Sequence, residues 1–256
     1  MQLSLNPSLC PTLRLAEFLH LAKDAGFSAV ELNRSESESS PVHPEVSVRM
    51  VREQLQAVGL RLSGLNIRPL TGRKADSDER NLGYNLRQLE WDIHLGRALG
   101  LRTANLGGGA RTDEARADLR AGVQQLLRRI PDITLNLGSA PGSCLQGVAD
   151  YQALIPCLDP RALVLLDTGA LLEAGEDPMR VAQVFGRRLG LIHLRDLRGG
   201  RPVPLGQGDL LGEALLRRLR EVGYQGDLVV ALSPATEPLS AAIAARKYLE
   251  ERMRSC

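Results

Sequence analysis

Residues 25–32 read Ala-Gly-Phe-Ser-Ala-Val-Glu-Leu, and this stretch decides the fold. An amphipathic run closes on Gly26, and a short apolar run, Ala29-Val30, follows at once. The physical reading is a helix ended by a glycine in the left-handed conformation, then a buried strand. The pattern recurs at Gly59 into Leu60 to Asn66, and at Gly100 into Leu101 to Leu106. It returns at Gly190 into Leu191 to His193, and at Gly223-Tyr224 into Leu228 to Leu232. These runs are nearly continuous, as expected of strands covered on both faces. Gly26 to Gly59 and Gly190 to Gly223 are each 33 residues apart, about the length of one strand–helix unit.

Filling the intervals predicts strands at 2–6, 28–33, 60–66, 101–107, 132–138, 162–167, 189–195 and 227–232. Helices are predicted at 12–25, 44–58, 79–99, 112–130, 147–157, 173–187, 210–222 and 236–254. Eight such units in 256 residues predict an α/β fold, a (β/α)8 TIM barrel, as one domain over 1–256. A doubly wound open sheet is the competitor. No Gly-x-Gly-x-x-Gly follows the first strand, which weakens a dinucleotide-binding reading.

The formal charge of +2 is too small to argue for nucleic acid, and the Arg that carries most of the positive charge reads as solvated helix surface. No apolar stretch approaches the roughly 18 residues of a membrane span. Met1 to Asn6 reads as a strand, not a secretory signal. Cys10, Cys144, Cys157 and Cys256 have no paired spacing, so free thiols in a reducing cytoplasm are expected.

In a barrel of this kind the site lies at the carboxyl ends of the strands. That places Glu31, Asn33, Asn66, Arg68, Asn105, Gly138, Ser139, Asp167, His193, Arg195, Asp196 and Ala231 to Ser233 on one face. Asp167 and His193 stand out, each closing an apolar run, as a carboxylate and an imidazole that converge like half of a metal site.

The strand ends also carry a resemblance. GFSAVEL (26–32), LRTANLGGG (101–109), LLDTGALLEAGEDP (165–178), LIHLRD (191–196), PLGQGD (204–209) and GYQGDLVVAL (223–232) follow one another in the order and spacing of the xylose isomerase-like barrel superfamily. That superfamily spans sugar isomerases, 3-epimerases, inosose dehydratases and endonuclease IV-type members. In its sugar-converting members a divalent metal (typically Mn²⁺, Mg²⁺ or Co²⁺) is held by Glu, Asp, His and Glu, and the two glutamates also move the proton. The resemblance puts the Asp on Asp167 and the His on His193. The first Glu falls on Gly138, before Ser139-Ala140-Pro141-Gly142, and the second on Ala231. A further substrate-contacting His falls on Ala170. Two of four ligands remain, so the metal site is expected to be vestigial. A cofactor is not expected; Mn, Mg, Co or Zn would need a rebuilt site. The three-zinc endonuclease chemistry is excluded, since His20 and His94 fall inside predicted helices.

Each remaining residue has a functional and a bland reading. Asp167 is a ligand or base, or a buried carboxylate on backbone amides or Arg195. His193 binds a substrate hydroxyl, or is a satisfied barrel histidine. Arg195, two residues on, shares its face and suits a phosphate or carboxylate, or pairs with Asp167. Glu31 is the remaining candidate base, or is paired with Arg68 or another Arg. Asn66 and Asn105 bind hydroxyls or cap loops; Arg68 and Ser139 join them as candidate substrate contacts. Gly206 and Gly208 offer an anion site, or a tight turn with Asp209 as helix cap. Cys10 and Cys144 offer a rebuilt thiolate site or plain thiols.

Two functions are therefore expected. The first is a non-classical or inactive isomerase-like barrel that binds a polar small molecule, such as a sugar or sugar phosphate, or partners an active paralogue. The second is an isomerase, epimerase or lyase on a sugar or hydroxy-carbonyl compound, with chemistry rebuilt on Asp167, His193 and Arg195. Homo-oligomerisation is compatible with both.

Overall fold

In a computed structural model of the chain, residues 1–42, 46–71 and 82–255 are described. Eight parallel strands close into a barrel: β1 (Gln2–Leu5), β2 (Ala29–Asn33), β3 (Arg61–Asn66), β4 (Thr103–Gly107), β5 (Thr134–Gly138), β6 (Ala162–Asp167), β7 (Leu189–Leu194) and, last in the ring, β10 (Asp227–Val230). Between β7 and β10 the chain inserts an antiparallel hairpin, β8 (Asp196–Arg198) and β9 (Arg201–Val203), which the sequence did not suggest.

The helices wrap the outside: α1 (Leu15–Asp24), α2 (Val48–Val58), α3 (Leu82–Ala98), α4 (Asp113–Arg129), α5 (Val148–Leu154), α6 (Thr168–Glu173), α7 (Pro178–Phe185), α8 (Gly212–Glu221) and α9 (Pro238–Ser255). The expected starts of α2 at 44–45 and α3 at 79–81, and Cys256, lie outside the described residues. The helix expected over 173–187 is the shorter α7, and α6 before it was not expected. Asp167 accepts from the Ala170 amide at 2.8 Å and so caps α6 immediately after β6. A new start at Asp177-Pro178 then opens α7.

The glycine reading holds at Gly59, the C-cap of α2 with φ 71°. It fails at Gly190, which lies inside β7. Gly190 is small for a different reason: a Cβ there would sit 1.9 Å from Asn136 Oδ1. The asparagine side chain, not a helix end, requires it.

Leu, Val, Ile and Ala from every barrel strand meet the helices in one continuous core. Inside the barrel, Leu165, Leu191 and Val229 form a separate apolar floor. Two residues further along β6 and β7, on the same inward face, stand Asp167 and His193, paired in register. The site thus rests on an apolar plug and opens at the carboxyl ends.

Candidate active site at the strand ends

Register builds a row of amides. Asn33, Asn66, Asn105 and Asn136 are successive partners across β2, β3, β4 and β5. Each amide donates to the next: Asn66 Nδ2 to Asn33 at 2.7 Å, Asn105 Nδ2 to Asn66 at 3.0 Å, and Asn136 Nδ2 to Asn105 at 2.8 Å. Asn6, just beyond β1, donates to Asn33 at 3.0 Å and completes the row.

Glu31 is the hub. It is fully buried, and opposite it β3 carries Gly64, whose missing side chain makes room. Oε2 accepts from Asn6 and from Asn66, the latter at 2.8 Å. Oε1 accepts from Asn105 at 2.7 Å and lies 3.0 Å from His193 Nε2. The alternative pairing with Arg68 does not form. Arg68 turns to the buried Asp92 of α3, at 2.8 and 3.0 Å, and takes no part in the central site.

His193 is therefore held from both sides. Its Nδ1 lies 3.5 Å from Asp167 Oδ2, and Asp167 Oδ1 in turn meets Arg195 Nη2 at 3.4 Å. Burial pulls the imidazole pKa down, but the Glu31 charge and the hydrogen bonds of both carboxylates outweigh it and raise it from 6.5 to about 10. Burial alone would raise Asp167; its hydrogen bond to His193, the charges of His193 and Arg195, and the Ala170 amide hold it below 3.8 instead.

Arg195 follows the last residue of β7. Its side chain crosses α6 at Gly169, where a Cβ would come within 2.1 Å of Nε. That Nε is buried and makes no hydrogen bond. Ser139 Oγ, at the end of β5, is likewise buried without a partner.

The anion site expected at Gly206 and Gly208 is filled by the chain itself. The fully buried Asp196 carboxylate accepts from the amides of Gly206 (2.9 Å), Gly208 (3.0 Å) and Leu210 (3.0 Å). Asp209 does not cap α8; it accepts from Gly199 at 3.1 Å. A thiolate site is also absent among the described residues. Cys10 and Cys144 are buried, and burial raises both thiols, Cys10 to about 11.

The metal positions were tested by their donors. Ligation requires a free imidazole lone pair, yet both nitrogens of His193 face carboxylates. Gly138 and Ala231 offer no side-chain donor atoms. Among the described residues no group of three or more His, Cys, Asp or Glu is arranged to hold a metal. The residues present do not fit the family's metal centre.

Sequence reasoning missed Asn6 and Asn136. Asn6 ends a strand on the site face and was legible as such. Asn136 lies inside an apolar strand, and only the in-register partner Asn105 gives it meaning.

A closed (β/α)8 barrel with its polar cluster at the carboxyl ends of the strands is the architecture of a family whose sequence model matches residues 19–252: the chain belongs to the xylose isomerase-like TIM barrel family. Inosose dehydratase from Clostridium tetani (strain Massachusetts / E88) is 30% identical over 167 residues, covering 55% of this chain and 56% of that protein. The chain thus matches only about half the length of such curated relatives. The fold is shared with an L-ribulose 3-epimerase (TM-score 0.82, 18% identity, covering 99% of this chain and 95% of that one). It is shared also with the IOLI protein carrying a bound zinc atom (TM-score 0.83, 16% identity, covering 100% and 99%). Among the described residues no helix is long and apolar enough to cross a membrane.

Proposed function

We propose that this chain is a non-classical member of its family that binds a polar, sugar-like small molecule at the strand ends without a protein-held divalent metal. One observation carries the reading: His193 is held between Glu31, 3.0 Å from Nε2, and Asp167, 3.5 Å from Nδ1, where the family resemblance places a metal ligand. The charge argument follows. Two carboxylates, Glu31 and Asp167, face two cations, His193 and Arg195, so the cluster is neutral without a metal. Glutamates at 138 and 231 would add two charges with nothing to offset them. Glycine and alanine at those positions are the consistent solution.

In this reading Glu31 is not a free base. Four donors already surround its two oxygens, and a proton acceptor needs an open lone pair in reach of the substrate. Glu31, Asn66 and Asn105 set the floor. Asp167 and Arg195, whose side chains are partly exposed, present groups to the ligand. Hydroxyl-rich compounds suit such a surface because each hydroxyl both donates and accepts.

The alternative is a lyase or isomerase in which His193 acts as the general acid. The resemblance to inosose dehydratases favours it, as does the partial exposure of Asp167, whose side chain is 16% accessible. Two measurements on the purified chain separate the readings. Elemental analysis after incubation with Mn²⁺, Co²⁺ or Zn²⁺ is expected to show no stoichiometric metal. Incubation with ketoses and inososes in D₂O is expected to show ligand binding without deuterium incorporation or loss of water. Stoichiometric metal abolished by His193→Ala overturns the metal-free reading; exchange or dehydration abolished by His193→Gln establishes the enzyme.

A further inference from the structure

Beside the polar centre lies a cavity of about 410 Å³, within the range of small-molecule sites. One wall is the hairpin and its following loop, with Pro202, Val203 and Leu205. The opposite wall is Leu232 after β10 and the small face of α9, including Ala241. Arg195 stands between this cavity and Asp167, and it is the one charged residue among the described lining residues.

The walls are fixed before any ligand arrives. Asp196 clamps the 204–210 loop through its three amide hydrogen bonds. On the other side, the Ala235 amide donates to the Leu9 carbonyl at 3.0 Å, and Ser8 Oγ donates to the Leu232 carbonyl at 2.8 Å. A cavity held open in this way does not collapse onto its apolar lining.

Arg195 has donors to spare. Its Nε is buried without a partner, and its contact with Asp167 is long, at 3.4 Å. The side chain is 28% exposed, and its planar fork suits a carboxylate. Besides Arg195, only Gln207 and Ser233 of the lining residues carry polar side chains, too few to partner every hydroxyl of a polyol. The occupant these features select has one anionic group and an apolar body.

We propose that this cavity binds a small carboxylic acid with a compact apolar body, its carboxylate on Arg195. This goes beyond the polar reading of the barrel centre and does not depend on it, because ketose binding and acid binding are measured separately.

The test is calorimetric titration of the full chain with 4-methylbenzoate and with its uncharged counterpart, 4-methylbenzamide. The acid is expected to bind at least tenfold more tightly than the amide. Arg195→Gln is expected to remove that preference. Ala241→Leu, which fills the cavity, is expected to abolish acid binding while leaving the melting temperature in place. Ala244→Leu, at the exposed rim, gives the same loss with less risk to the core. Equal binding of acid and amide overturns the role of Arg195. Undiminished acid binding in the folded leucine variants overturns the location. Displacement of the acid by equimolar inorganic phosphate overturns the requirement for an apolar body.

Discussion

The two halves of the barrel mouth solve the problem of buried polar groups in opposite ways. Across β1 to β4, the asparagines and Glu31 satisfy one another, and only at β5 do Asn136 Oδ1 and Ser139 Oγ stay without a partner. Across β6, β7 and the hairpin, charge dominates and donors remain unspent, above all Arg195 Nε. A saturated network rigidifies; an unsaturated one has something to offer a ligand. The first half therefore reads as the frame of the site and the second as its working side.

The largest expected effect comes from breaking the frame at its hub. Glu31→Ala leaves His193 with one carboxylate and frees the Asn6, Asn66 and Asn105 amides. A loss of about 3–5 kcal/mol is expected from urea unfolding, the usual cost of removing one partner from a buried ion pair. A loss below about 1 kcal/mol would mean that water replaces the network, and the frame would not be a frame.

The same centre gives a pH signature. The folded pKa of His193, about 10, lies above its ordinary 6.5, so its contribution is fully present below pH 6.5. It is lost as pH rises through about 10. For Asp167 the sign is reversed: its contribution is present above pH 3.8 and is lost as pH falls through its depressed value. Urea midpoints of the wild type and His193→Gln are expected to converge on the alkaline side. A constant gap from pH 6 to 10.5 would rule out the imidazolium.

On the working side, Asp196→Ala strands the amides of Gly206, Gly208 and Leu210. About 3 kcal/mol is expected to be lost, and the 204–210 loop becomes sensitive to proteolysis. Unchanged digestion would show that the loop is held by something else.

Two glycines give the finest contrast. Gly190→Ala drives a methyl into Asn136 and is expected to cost about 1–3 kcal/mol. At Gly138 an added Cβ would lie 3.7 Å from Leu165, an ordinary contact, with no left-handed backbone to strain. Gly138→Ala is therefore expected to stabilise the chain by about 0.4–1 kcal/mol. Destabilisation there would mean that position 138 is glycine for a steric reason, not because a metal ligand is unnecessary.

Much of the fold was legible because its punctuation is local. Helix closure at Gly26, Gly59, Gly100 and Gly223 depends on backbone conformation, and all four have positive φ. Where a glycine served a distant side chain, as Gly190 serves Asn136, the local rule misled. The hairpin at 196–203 was also illegible, because its short strands carry no apolar period and its turn is stabilised by Asp209, ten residues from Gly199.

For the candidate site, the sequence was informative about identity and weak on partnership. It named Glu31, Asp167, His193 and Arg195 by strand-end position alone. It offered Arg68 or another Arg as an alternative partner for Glu31, because opposite charges at the ends of neighbouring strands look like partners. It also left the amides of Gly206 and Gly208 open to an outside anion, because nothing local shows that Asp196 bends back to fill them.

The sequence by itself determined the barrel, the face that carries the site, and the absence of side-chain donors at 138 and 231, because periodicity, helix ends and residue chemistry are written along the chain. Only the tertiary structure decided that His193 sits between Glu31 and Asp167, that Asn33 to Asn136 stand in one row, and that Arg195 borders an apolar cavity. Those facts depend on inter-strand register and on contacts across more than a hundred residues, such as Glu31 with His193 at a separation of 162. A one-residue slip between strands would turn each of these side chains to the opposite face.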